Sequence, residues 1–181
     1  MKYLNKKVVA VLIVNSIEEI DAQANKLLSD GYDVLEVTLR TPNALACISY
    51  AKSNFRDVKI GAGTITSLDD LVAAIEAGAD FGVSPSINSE VIIEAGNRGF
   101  DFIPGVATPS DIETAKNLDV KLVKLFPAEA LGGVNYLKAI SAPYYDMKFM
   151  PTGGINKDVA IDYLSLDQVS CVGGTWMTKS K

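Results

Sequence analysis

The sequence predicts an α/β protein, a compact closed (β/α)8 TIM barrel, on three observations. Eight strand-like runs alternate strictly with seven helical segments. The runs are rich in Val and Ile and apolar on both faces, as buried parallel strands are. No run leads into a helix through GxGxxG, so a doubly wound dinucleotide fold lacks its phosphate turn. Strict alternation implies parallel pairing through right-handed crossovers, and eight such units favour closure over an open sheet.

The elements follow in order. KVVAVLIV precedes a helix over SIEEIDAQANKLLSDG, with Ser16 as N-cap, Glu19 in the first turn and Gly31 as the stop. DVLEVTLR leads into TPNALACISYAKSN, VKIGAGTI into TSLDDLVAAIEAG, and DFGVSPS into INSEVIIEAGNRG. FDFIPGVA precedes TPSDIETAKNL, VKLVKLFPAEA precedes GGVNYLKAIS, and MKFMPTGG precedes INKDVAIDYLS. SCVGGTWM is the eighth run. The turns TPN, TPS and SPS set proline near helix starts, where its missing N–H removes no intrahelical bond.

A chain of 181 residues, 48% hydrophobic, suits one domain over 1–181. That is short for a fold of typically about 250 residues, so loops must be tight and no lid fits. Only TKSK follows the eighth run. The expectation is a barrel with its last helix missing. The outer face of strands eight and one would be bare, either covered by a neighbouring subunit or left by an incomplete chain.

Composition removes several function classes. With 17 basic against 22 acidic residues the net charge is −5, which argues against a nucleic-acid surface. There is no histidine, hence no Ser-His or Cys-His dyad and none of the commonest metal ligand. Cys47 and Cys171 lie in apolar context without CxxC spacing and read as buried thiols of a reducing compartment. Lysines before the apolar run at 8–14 resemble a signal peptide, but that run is short and no small-x-small cleavage site follows. No segment approaches the roughly 18 apolar residues of a membrane span. The expected location is the cytoplasm, with no membrane partner.

Chemistry concentrates at the C-terminal ends of the runs, where barrel active sites lie. In the sixth run Leu122, Lys124 and Phe126 share a face. A lysine buried there loses solvation, which favours the neutral amine, a nucleophile toward ketones. The alternative is a lysine snorkelling to solvent. In the second run Glu36, Thr38 and Arg40 share a face opposite Val37 and Leu39. They are either an ion pair plugging the barrel, or a base and a carboxylate clamp. In the third, Ala62 and Thr64 share a face opposite Gly61 and Gly63. Thr64 then offers a hydroxyl, or the glycines merely pack. PTGGI and VGGTW close the seventh and eighth runs, where bare backbone N–H groups suit a phosphate; plain turns are the alternative.

The motifs EVTLRTPNAL, GAGTI, VSPS, PGVATPSDI, KLFPAEALGG, PTGGI and VGGTW resemble the 2-keto-3-deoxy-6-phosphogluconate (KDPG) aldolases, in order over nearly the whole chain. The 4-hydroxy-2-oxoglutarate aldolase activity often accompanies that family. The resemblance implies a Schiff-base lyase that splits a phosphorylated 2-keto acid into pyruvate and glyceraldehyde 3-phosphate, in Entner–Doudoroff carbohydrate metabolism. Lys124 matches the Schiff-base lysine and Glu36 the proton-transfer carboxylate. Arg40, Thr64 and Lys124 match the groups that hold the pyruvyl end. Gly153, Gly154, Gly173, Gly174 and Thr175 match the phosphate loops, with Thr175 where serine is common. Ser86 stands where glycine is usual. No metal or cofactor and a homotrimer are implied. The competing readings are another phosphate-binding barrel, of the sugar-phosphate epimerase or thiamine-phosphate synthase kind, and a non-catalytic barrel that binds a phosphorylated acid.

Overall fold

The computed structural model describes residues 1–5 and 7–178. Nine strand segments, β1 (Lys7–Leu12), β2 (Val34–Thr38), β3 (Lys59–Gly63), β4 (Phe81–Val83), β5 (Asp101–Ile103), β6 (Gly105–Val106), β7 (Leu122–Leu125), β8 (Lys148–Phe149) and β9 (Cys171–Gly174), form the wall. The fifth run of the sequence is one strand broken at Pro104 into β5 and β6, so the wall is eight-stranded. Around it lie α1 (Ile17–Ser29), α2 (Ala44–Asn54), α3 (Leu68–Glu76), α4 (Ser89–Asn97), α5 (Pro109–Asn117), α6 (Gly133–Ser141) and α7 (Lys157–Leu164). These are the seven α-helices among the described residues.

All strand pairs are parallel. The order β5-β4-β3-β2-β1-β9 runs along one side and β6-β7-β8 along the other. Two seams close the ring. Lys124 N–H donates to Pro104 O at 2.8 Å. Parallel bridges Phe149–Val169 and Thr152–Gly173 join β8 to β9. Every backbone edge in the wall therefore finds a partner, which is what closure achieves.

Helix starts follow their capping signals. Ser16 Oγ accepts from Glu19 N–H at 3.3 Å. Ser67–Asp70 and Thr108–Asp111 are reciprocal capping boxes. These caps sit at the C-terminal ends of the strands and hold the rim turns in fixed positions.

Alternation along each strand divides the apolar residues. Outward side chains such as Leu35, Val37, Val123, Leu125 and Phe149 pack under the helices in two clusters. Inward ones, including Val9, Val34, Phe81, Val83, Met150 and Cys171, fill the barrel's lower half. A 3-10 turn at Lys2–Leu4 plugs the bottom, with Leu4 fully buried in that inner cluster. At the seam of β9 and β1 the expected bare face is partly covered. Trp176 packs against both outer clusters and Met177 is buried in one of them.

Candidate active site

The upper half of the interior is polar and opens into a cavity of about 430 Å³. Strand alternation delivers its central pair. On β2, Leu35 and Val37 point outward, so Glu36 and Thr38 point in. On β7, Val123 and Leu125 point outward, so Lys124 points in. Lys124 Nζ lies 3.6 Å from Glu36 Oε1, with the two side chains 7% and 1% exposed. The lysine thus remains inside the wall instead of snorkelling out. A second observation fixes its direction: Nζ sits 5.3 Å from the centre of the Phe126 ring.

Glu36 is held by shape. A Cβ at Gly63 would overlap its carboxylate, so β3 must present glycine there. Glu36 Oε2 is buried and has no hydrogen-bond partner among the described residues. That leaves an acceptor unused at the wall of the cavity, beside the amine. Thr38 below the mouth donates its hydroxyl to Leu12 O at 3.0 Å. Burial, and then the negative charge of Glu36, push the Cys171 thiol well above its ordinary value. Cys171 therefore stays protonated and is no competing nucleophile.

Arg40 lies past the end of β2 in a turn, exposed, where it lines the mouth. It forms no ion pair among the described residues. The buried partner of Glu36 is thus Lys124, and the guanidinium remains available for an anion. Thr64 also lines the cavity, but not by strand parity. Ala62, two residues before it, packs outward under the helices. Thr64 turns back because its backbone adopts φ +65°, a left-handed conformation rare for a β-branched residue.

Gly153, Gly154, Gly174 and Thr175 line the far side of the cavity, and Gly173 does not. Its N–H donates to Pro151 O at 3.0 Å, so it has none to offer a phosphate. Its missing side chain instead makes room for Thr152 and Met150. Ser86 follows Pro85 at the rim with an ordinary backbone: Ser84 Oγ donates to Ser86 O at 2.6 Å, and Gly105 N–H donates to Ser84 Oγ at 3.1 Å.

Sequence reasoning placed Thr38 and Phe126 on the chemical faces of their strands without giving them a role and did not single out Thr152 or Trp176; all four line the cavity. Thr38 and Phe126 share parity with Glu36 and Lys124, so the signal for them was present. Thr152 follows Met150 by two residues and faces inward with it. Trp176 lies beyond the last strand, where no periodicity applies.

The family model for KDPG and KHG aldolase matches residues 2–181 of this chain. A 2-dehydro-3-deoxy-phosphogluconate aldolase of Pseudoalteromonas atlantica is 41% identical over 171 residues, covering 94% of this chain and 79% of that relative. The KHG/KDPG aldolase of Escherichia coli is 38% identical over 170 residues, covering 94% of this chain and 80% of the relative. A solved KDPG aldolase of Legionella pneumophila, with pyruvate captured as a covalent carbinolamine, is similar at TM-score 0.92 and 38% identity, covering 97% of this chain and 85% of that one.

Proposed function

The chain belongs to the KDPG and KHG aldolase family, and from that premise we propose how it works as a class I aldolase. It cleaves 2-keto-3-deoxy-6-phosphogluconate to pyruvate and glyceraldehyde 3-phosphate. 4-Hydroxy-2-oxoglutarate, giving pyruvate and glyoxylate, is a second substrate. The observation that carries the mechanism is the buried pair, Lys124 Nζ 3.6 Å from Glu36 Oε1 inside the cavity.

A proton passing from Lys124 to Glu36 turns the ion pair into an amine and a carboxylic acid without changing the net charge of the site. The amine attacks the C2 ketone. Glu36 returns its proton to the departing hydroxyl, which leaves as water, and the iminium forms. Glu36, again a carboxylate, takes the C4 hydroxyl proton, directly or through a water. The C3–C4 electron pair moves into the iminium, the aldehyde leaves, and an enamine remains. Protonation at C3 and addition of water release pyruvate and free the amine. Arg40 and Thr64 hold the carboxylate end, so that C2 faces Nζ; orientation of this kind is worth up to about 7–11 kcal/mol in ideal cases. Gly153, Gly154, Gly174 and Thr175 hold the phosphate through backbone N–H groups and a hydroxyl. We read residues 1–181 as one barrel domain of a cytoplasmic homotrimer in the Entner–Doudoroff route, its assembly to be read by sedimentation.

The test is borohydride trapping of labelled pyruvate. The unaltered chain should retain label on Lys124. Lys124→Ala should lose both trapping and cleavage, and Glu36→Gln should keep trapping while turnover falls about 10²-fold. Label persisting in Lys124→Ala would move the nucleophile to Lys121 or Lys148. No label on the unaltered chain would favour a phosphate-binding barrel of another kind.

A further inference from the structure

Resting on the phosphate reading of the Gly153–Gly154 loop, we propose that Glu129 and Tyr163 are positioning residues for phosphate, a strut between α7 and that loop which touches no reacting atom. Glu129 stands in the turn after β7, in the FPAEALGG motif. Tyr163 is on α7, the helix that begins just beyond Gly154.

The turn and the loop are bonded along their backbones. Ala128 N–H donates to Thr152 O at 2.8 Å and Glu129 N–H to Gly153 O at 3.1 Å. These bonds engage the carbonyls of Thr152 and Gly153, whereas the N–H groups of Gly153 and Gly154, which line the cavity, have no backbone acceptor among the described residues. The Glu129 side chain then lies flat on the loop. A Cβ at Gly154 would come 2.7 Å from Glu129 Cβ, and one at Gly133 would come 3.2 Å from Glu129 Oε1. Gly154 has φ +80° and Gly133 has φ +67°, both left-handed. The second glycines of TGG and of LGG thus flank a single side chain, Gly154 at its stem and Gly133 at its carboxylate. The fully buried Tyr163 donates its hydroxyl to Glu129 Oε1 at 2.7 Å. Burial, followed by that hydrogen bond and the carboxylate's charge, holds the Tyr163 hydroxyl well above its ordinary range, so it remains a donor.

A charge-assisted bond from a buried donor is short and directional. It fixes the carboxylate and with it the side-chain stem, whose Cβ and Cγ pack on Gly154. Preorganised N–H groups bind an anion better than mobile ones, because no ordering entropy is lost on binding. The effect is confined to ligands that carry phosphate.

Tyr163→Phe keeps the ring in the core and removes only the donor, and Glu129→Gln keeps an oxygen acceptor as the conservative control. KM for the phosphorylated substrate should rise about tenfold in Tyr163→Phe, with kcat nearly constant. KM for 4-hydroxy-2-oxoglutarate should stay put, and Glu129→Gln should behave closer to the unaltered chain than Glu129→Ala. Titration of inorganic phosphate should show the same tenfold loss, whether or not pyruvate is trapped on Lys124. Loss of trapping in the unaltered chain would thus sink the aldolase reading while leaving this one readable. Equal KM changes for both substrates, or none for either, would overturn the strut.

Discussion

Two layers of the same barrel interior, separated by two residues along each strand, are built on opposite terms. In the lower layer Val9, Val34, Phe81, Met150 and Cys171 fill the space with apolar atoms, closed below by Leu4. In the upper layer Glu36, Thr38, Lys124 and Thr152 surround an open cavity. The strands, register and closure are common to both. The difference lies in what each inward position contributes to folding. The lower layer removes apolar surface from water at about 25 cal/mol per Å². The upper layer buries two charges whose mutual attraction barely offsets their desolvation. A barrel can carry a costly upper layer because a well-packed lower one stands beneath it.

The largest expected effect is in the lower layer. Phe81 is fully buried, and Gly61 is glycine because a Cβ there would overlap the Phe81 ring. Phe81→Ala should lower stability by about 3–5 kcal/mol, read by urea or thermal unfolding. A loss below 1 kcal/mol would break the division of labour between the layers. The opposite sign is expected above it. Replacing the pair together, Lys124→Met with Glu36→Leu, should abolish turnover and raise stability by about 1–4 kcal/mol. A double variant less stable than the parent would make the pair a structural device.

The smallest effect is expected at the same height as the upper layer but outside the wall. Burial raises the Asp70 carboxyl, but the N–H and hydroxyl groups of Thr66 and Ser67 outweigh it and hold Asp70 below its ordinary value. A carboxylate depressed in the folded state adds stability above its unfolded pKa. That contribution is lost as pH falls through the folded value, so the window opens below about pH 4. Asp70→Asn should remove about 1 kcal/mol at neutral pH, flatten that acid limb and leave KM unaltered. A change in KM would tie this cap to the site and blur the boundary.

Much of this was legible along the chain. The two-residue period carried Glu36, Thr38 and Lys124 to the interior because β2 and β7 are regular and their outward neighbours are apolar. The period failed where strands end. Thr64 reaches the cavity through a left-handed turn, against the parity set by Ala62. Gly173 has the sequence of a phosphate loop, yet its N–H is consumed by Pro151 O. Pro104 breaks one run into two strands. The pairing of Lys124 with Glu36, and the freedom of Arg40, depend on register between β2 and β7, which lie on different arcs of the ring.

The sequence by itself determined the alternating order of strands and helices, the inward face of β2 and β7 and the Ser16 cap of α1. Those follow from local periodicity and from side chains that bond their own backbone. Only the tertiary structure decided which inward charge meets which, whose backbone N–H stays unused, and how Glu129 and Tyr163 meet at Gly154. Each of these depends on distances between segments that the chain brings together only by closing the ring.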